Sequence, residues 1–280
     1  MKNHKLIKRG LAIVLILLML LGLCSCGLIG KEETTTETTT AQATVTQAPV
    51  ELTKTLTDGA KTVVYPTELE TAHSAFPVIV WANGTGMATD SYAALLQELA
   101  KGGYIVVADA STMTADGTSQ RSSIDYILEK NGDSASIFYN KINTNAIGAC
   151  GHSQGGRSCI NAAQADSRIK CVVSIAGASS EAEAKGLNTP CLFLTGTNDM
   201  VVASSKWCKP SYDAVTGRAA YASLYGGIHT TCMINPKKVS GYTLSWFDAY
   251  LLNDAEAKAV FEDDGKLAHD YDWQDFENKN

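Results

Sequence analysis

An α/β fold with a mostly parallel central sheet and helices on both faces is the expectation, and three observations in the 280-residue sequence carry it. Apolar runs of strand length alternate with segments of helical period through most of the chain. Gly151-His152-Ser153-Gln154-Gly155 stands between one such run and one such segment. Two later apolar runs open into polar loops that carry Asp199 and His229, at the ends of strands where open α/β sheets gather functional side chains.

Taken in order, the chain begins with a segment outside any fold. Lys2, Lys5, Lys8 and Arg9 precede an apolar run from Leu11 to Leu23, the pattern of a secretory signal. The run is short for a membrane span, which needs roughly 20 apolar residues. It closes in Leu23-Cys24-Ser25-Cys26-Gly27, which resembles the lipobox of bacterial lipoproteins, with Cys26 as the lipidated residue. Residues 1–25 are therefore expected to be a signal peptide, and Cys26 an anchor in the bacterial membrane, facing outside the cytoplasm. Residues 26–50, rich in Thr and Ala, hold too little apolar surface to fold and read as a tether.

Residues 51–265 are long enough to bury one core. Val78-Ile79-Val80-Trp81-Ala82 is a strand, followed by the loop Asn83-Gly84-Thr85-Gly86. Asp90 caps a helix that runs to Lys101, with Tyr92, Leu95, Leu96 and Leu99 as its apolar stripe and Gly102-Gly103 at its end. Tyr104-Ile105-Val106-Val107-Ala108 is a buried strand, and Ile124, Ile127 and Leu128 mark a helix over residues 122–130. Further strands fall at residues 146–150, 171–176, 191–195 and 219–225, and Leu244, Phe247 and Leu251 mark the last long helix. Only about a dozen residues separate the strands that end at Ala176 and begin near Pro190, so no large lid domain fits there. Residues 266–280 are acidic and read as a solvated tail.

The G-x-S-x-G stretch gives the arrangement its chemistry. A serine on so sharp a turn between strand and helix sits in a strained conformation with its hydroxyl exposed, and small neighbours are needed for the close approach. A hydroxyl is a poor nucleophile near neutral pH and needs a base. His229 is the candidate base: His4 lies in the leader, His152 within the turn, His73 ahead of the first core strand and His269 in the acidic tail. Asp199 would hold the imidazole tautomer, and the order Ser153, Asp199, His229 is that of the α/β-hydrolases. Oxyanion donors should be the backbone N–H of Gln154 and one from the loop after the early strand, taken as Thr85, with Gly84 or Gly86 as alternatives. A base of this kind implies that acidification stops the reaction.

The formal net charge of −6 becomes about −10 without the four basic residues of the leader, which argues against nucleic acid as a partner. Of eight cysteines, six lie beyond Cys24 and Cys26: Cys150, Cys159, Cys171, Cys191, Cys208 and Cys232. Exported proteins form disulfides, and a Cys208–Cys232 bond would tie the Asp199 loop to the His229 loop. Cys150, Cys171 and Cys191 sit in or at the start of strands as buried thiols, and no cysteine or histidine spacing suggests a metal.

From Pro77 to about Asn253 the chain resembles the dienelactone-hydrolase-like branch of the α/β-hydrolases, which includes bacterial cutinase-like polyester hydrolases and is similar to plant chlorophyllases. The matching pieces are Gly84-Thr85-Gly86, Ser119-Gln120-Arg121-Ser122-Ser123, the Gly151-His152-Ser153-Gln154-Gly155-Gly156 turn, Thr197-Asn198-Asp199 and Gly227-Ile228-His229. The resemblance implies hydrolysis of carboxylic esters by Ser153, His229 and Asp199 without a cofactor, and the lack of room for a lid implies an open site that small, bulky or polymeric esters could approach. Polyester hydrolases usually carry an aromatic residue where this chain has Thr85 and a tryptophan near the position of Ala178. This chain has neither, so their aromatic clamp is not evident, and Trp207, near Asp199, could instead line the pocket. Polyesters and carbohydrate-linked acyl esters are both within this reading. Amide or thioester hydrolysis and a non-catalytic binding lipoprotein are the alternatives.

Overall fold

Side chains along the strand Phe76–Ala82 alternate between two cores: Val78 and Val80 face one side of the sheet, Ile79 and Trp81 the other. The same alternation in Cys191–Gly196 sends Phe193 one way and Leu192 and Leu194 the other. Both faces are thus apolar, as a sheet covered by helices on each side requires. The structure is a computed structural model that describes residues 52–279. The leader, Cys26 and the tether of residues 26–50 lie outside the described residues.

The strands are β1 (Thr53–Asp58), β2 (Lys61–Pro66), β3 (Phe76–Ala82), β4 (Ile105–Asp109), β5 (Ile142–His152), β6 (Ile169–Ile175), β7 (Cys191–Gly196), β8 (Ala219–Leu224) and β9 (Trp273–Lys279). They form one sheet in the order β1-β2-β4-β3-β5-β6-β7-β8-β9. From β4 to β8 the pairs are parallel, while β1–β2, β2–β4 and β8–β9 are antiparallel. This is the α/β-hydrolase arrangement, a mostly parallel mixed sheet. The helices are α1 (Ala93–Lys101), α2 (Thr118–Gly132), α3 (Gln154–Ala165), α4 (Glu181–Ala184), α5 (Cys208–Ala214), α6 (Thr231–Ile234), α7 (Lys237–Leu251) and α8 (Ala255–Ala259). Helices α2, α3 and α5 pack on one face through Ile124, Ile160 and Tyr212, and α1, α6 and α7 on the other through Leu95, Cys232 and Trp246. Only the short α4 intervenes between β6 and β7, so the carboxyl end of the sheet carries no lid there.

Three expectations are corrected. Residues 266–280 are not a free acidic tail: Trp273 packs into the core, and Trp273–Lys279 adds an antiparallel edge strand to β8. Asp90 does not cap α1, because Thr89–Tyr92 first forms a 3₁₀ turn. Thr89 Oγ1 donates to the Asp109 carbonyl (3.2 Å) and accepts from Asn83 Nδ2 (3.1 Å), which draws the chain inward before the helix starts. The Cys208–Cys232 disulfide is also absent. All six cysteines among the described residues are free and buried, and Cys208 belongs to the core on one face of the sheet while Cys232 belongs to the other. Two side chains on opposite faces of a sheet cannot be bridged.

Candidate active site

The chain from β5 into α3 turns at Ser153 with φ 58° and ψ −120°, a conformation that L-residues adopt only where the surroundings impose it. Main-chain hydrogen bonds hold the turn at both of its peptide groups. The Ser153 N–H donates to the Ile175 carbonyl (3.0 Å), and its own carbonyl accepts from Gly156 and Ala178 N–H (2.9 and 3.1 Å). A Cβ on Gly155 would stand 2.0 Å from the Ala82 carbonyl oxygen, so only glycine lets α3 approach β3 here. Beneath the turn, buried Gln120 donates from Nε2 to the carbonyls of Val80 and Cys150 (3.1 and 3.2 Å) and accepts from Ser158 Oγ (2.8 Å). That gives the Ser119-Gln120-Arg121 segment a role in holding β3, β5 and α3 together.

Asp199 and His229 meet. His229 Nδ1 donates to Asp199 Oδ2 at 2.8 Å, and Oδ1 accepts the N–H groups of Val201 (2.9 Å) and Val202 (2.8 Å). The Asp199 side chain is fully buried. Its loop and that of His229 are joined by backbone: Thr197 N–H to Leu224 O (3.0 Å), Asn198 N–H to Gly227 O (2.9 Å) and Gly226 N–H to Thr197 Oγ1 (2.9 Å). These bonds perform the tying that the sequence suggested for a disulfide. The Cys208 thiol instead donates to the Gly177 carbonyl, and burial pushes Cys208 and Cys232 each up to about 12, where a thiol is inert.

With Nδ1 committed to Asp199, His229 presents Nε2 as an acceptor. No hydrogen bond joins that ring to Ser153 Oγ among the described residues. What connects the two loops is His152, the neighbour of Ser153. Its Nε2 lies 2.7 Å from the His229 carbonyl oxygen, and its ring packs against that of His229 with centroids 4.6 Å apart. Its Nδ1 lies 3.0 Å from Tyr92 Oη, which accepts the Gly84 N–H at 3.0 Å. Burial, then the neighbouring His229, pushes His152 down to about 4, so the ring is neutral near pH 7.

The loop after β3 is anchored by Asn83, fully buried, whose Nδ2 donates to the carbonyls of Asp109 (3.0 Å) and Ser111 (3.1 Å). Gly84 N–H goes to Tyr92 and Gly86 N–H to the Thr112 carbonyl (2.9 Å). Of the three candidate donors in this loop, Thr85 alone keeps its N–H free of a protein acceptor among the described residues. A Cβ on Gly84 would lie 3.3 Å from Ser153 Cβ, so the loop runs directly against the serine. Gln154 Oε1 accepts from Thr114 N–H (2.8 Å), and Thr114 Oγ1 donates to the Asn83 carbonyl (2.8 Å), which leaves the Gln154 N–H at the start of α3.

A family model described as "PETase: PET hydrolase-like" matches residues 27–269. The chain belongs to the PET hydrolase-like family. Over 203 residues it is 23% identical to a bis(hydroxyethyl) terephthalate hydrolase of Streptomyces coelicolor, covering 70% of this chain and 63% of that protein. Cutinase 2 of Thermobifida cellulosilytica and cutinase cut1 of Thermobifida fusca are each 23% identical across 70% of this chain, with 75% and 61% of their own lengths covered.

Within this PET hydrolase-like chain several contributors at the site were not visible as such in the sequence. Tyr92 reads as part of an apolar helix stripe, yet its hydroxyl is the hinge between Gly84 and His152. Asn83 and Thr114 carry no motif. Trp207 stands at the start of α5, with Lys206 Nζ 5.4 Å from its ring centroid.

Proposed function

We propose that this chain is an exported serine carboxylic-ester hydrolase. Ser153 Oγ attacks the ester carbonyl while His229 Nε2 takes its proton and then returns it to the departing alcohol. Water, deprotonated by the same nitrogen, releases the acid from the acyl-serine. Asp199 fixes the tautomer and stabilises the imidazolium. The N–H groups of Thr85 and Gln154 take the charge that develops on the carbonyl oxygen, and no cofactor enters the reaction.

One observation carries the reading. A serine held at positive φ stands against the loop that carries the Thr85 N–H, and its neighbour His152 packs on the ring of His229, which is hydrogen-bonded to Asp199. The fit to bulky apolar esters rests on the rim. Met113 (65% exposed), Met200 (92%), Val201 (69%), Tyr225 (69%) and Ile228 (46%) stand on loops that hydrogen-bond to the site loops or run into them. With no large lid between β6 and β7, a terephthalate ester or a polymeric ester could lie across them. Lipidated Cys26 would hold the enzyme on the outer face of the bacterial membrane, with residues 26–50 as its reach.

The test is hydrolysis of p-nitrophenyl esters from acetate to decanoate, and of bis(hydroxyethyl) terephthalate, with Ser153→Ala beside the wild type. Serine-dependent turnover and labelling of Ser153 by a fluorophosphonate are expected, with at least about a 10³-fold loss in the variant. A folded wild type that neither turns over any of these esters nor takes the label would overturn the reading.

A further inference from the structure

The contacts of His152 leave one way to place its proton. A backbone carbonyl only accepts, so the nitrogen facing the His229 carbonyl, Nε2, carries the hydrogen. In the neutral ring Nδ1 is then bare and accepts the Tyr92 hydroxyl proton. The Tyr92 oxygen in turn accepts the Gly84 N–H. Every donor and acceptor in this buried chain is satisfied in a single direction: Gly84 N–H to Tyr92, Tyr92 O–H to His152, His152 N–H to the His229 carbonyl.

The chain joins the two halves of the site. At one end it sets the seat of Gly84, whose Cα lies so close to His152 and Ser153 that a Cβ would be 3.2 Å from the one's Nδ1 and 3.3 Å from the other's Cβ. Thr85, the next residue, has the free N–H. At the other end it grips the His229 main chain, leaving ring Nδ1 to Asp199 and Nε2 without a protein partner among the described residues. We infer that His152 is a positioning residue: through Tyr92 and the His229 carbonyl, one neutral imidazole keeps the oxyanion donor and the base in register with Ser153. The inference rests on the ester-hydrolase reading and adds a residue to it. A neutral ring suits the place. When His229 becomes an imidazolium during attack, a second cation at 4.6 Å would oppose it, whereas neutral His152 does not.

The experiment uses the full chain, with His152→Phe, His152→Gln, Tyr92→Phe and the Tyr92→Phe/His152→Phe pair assayed on p-nitrophenyl acetate. Phenylalanine keeps a flat ring and removes both nitrogens, while the glutamine amide offers one acceptor and one donor in their place. We expect His152→Phe and Tyr92→Phe each to lower kcat by about 10- to 100-fold, with KM moved by no more than about threefold, because misalignment acts on the reacting geometry rather than on ground-state binding. The pair should be no worse than the poorer single variant, since both break one chain. His152→Gln should recover most of the loss. A second readout needs no turnover. The proton on His229 Nδ1, followed by NMR, should lose exchange protection in His152→Phe and keep it in His152→Gln. Wild-type kcat in His152→Phe, additive losses in the pair, or a glutamine variant no better than phenylalanine would each overturn the inference. If His152→Phe does not fold, Tyr92→Phe and His152→Gln carry the same comparison. Full activity in Ser153→Ala would instead sink the ester-hydrolase reading, while the His229 resonance still reports whether His152 holds that loop.

Discussion

Asn83, Tyr92, Gln120 and His152 are buried beside the serine turn and every one of them is hydrogen-bonded, whereas a few residues outward Met200, Val201, Tyr225 and Ile228 are apolar and exposed. Both groups stand at the same end of the sheet. The inner one is polar, enclosed and over-determined, so a small displacement there disturbs several bonds at once. The outer side chains are apolar and open, so changes to them should alter what binds and little else. The difference separates the part that would perform the chemistry from the part that would choose the substrate.

The sharpest way to break that division is Asp199→Asn. The amide keeps size and shape but offers an NH₂ where His229 Nδ1 donates, which favours the wrong tautomer. We expect on the order of a 10³- to 10⁴-fold loss of kcat with the fold intact. A loss below tenfold would show that Asp199 is an ordinary loop carboxylate with a histidine nearby.

Gly155→Ala strikes the same inner region through packing. A methyl group 2.0 Å from the Ala82 carbonyl oxygen forces α3 away from β3. Overpacking of this kind should destabilise by about 3 kcal/mol or more, read by urea unfolding. Stability within 1 kcal/mol of wild type would mean that the turn is looser than its contacts imply.

The inner region should also have its own pH dependence. His152 is held near 4 in the fold, against about 6.5 for a free histidine, chiefly because burial disfavours its charged form. As pH falls from about 6.5 to about 4, the unfolded chain takes up a proton that the folded chain refuses, so stability drops across that window, by up to about 3 kcal/mol. Below pH 4 both states are protonated and the contribution is flat. Urea unfolding of wild type and His152→Gln at pH 7 and pH 4.5 isolates this group, because the other titrating residues cancel in the difference. The wild type should lose more stability than the variant. Equal losses would mean that His152 is not buried neutral.

How much of this was legible beforehand follows the same inner and outer logic. The parallel strands β3 to β8 announce themselves because burial on both faces demands continuous apolar runs, and Ser153 does so because its turn tolerates so few residue types. The edges were illegible for the opposite reason. In β1, Thr53–Asp58, most side chains are exposed, so it has the composition of a loop. In β9, Trp273 alone is buried, among residues whose charges read as a tail. The inner network was illegible because its members are defined by where their polar atoms point: Tyr92 fits a helix stripe whether or not its hydroxyl reaches His152. Cys208 and Cys232 misled for a related reason. Sequence places them near Asp199 and His229, while the sheet that separates them is visible only in three dimensions.

The smallest effect belongs to the rim. Met200 is almost wholly exposed, one residue from Asp199, and its own side chain supports nothing in the core. Met200→Ser should therefore leave stability and p-nitrophenyl acetate hydrolysis unchanged. Were long acyl chains to lie across the rim, the lost contact would be partial burial of one side chain, about 1 kcal/mol, or roughly a fivefold rise in KM for the decanoate ester. Val201→Ser should act in the same direction, and the pair should add, since each would touch a different part of the chain. The comparison between acetate and decanoate is what gives the test its force. A uniform loss on both esters would mean that the rim props up the Asp199 loop, and the separation between an inner site and an outer surface would then fail at this point.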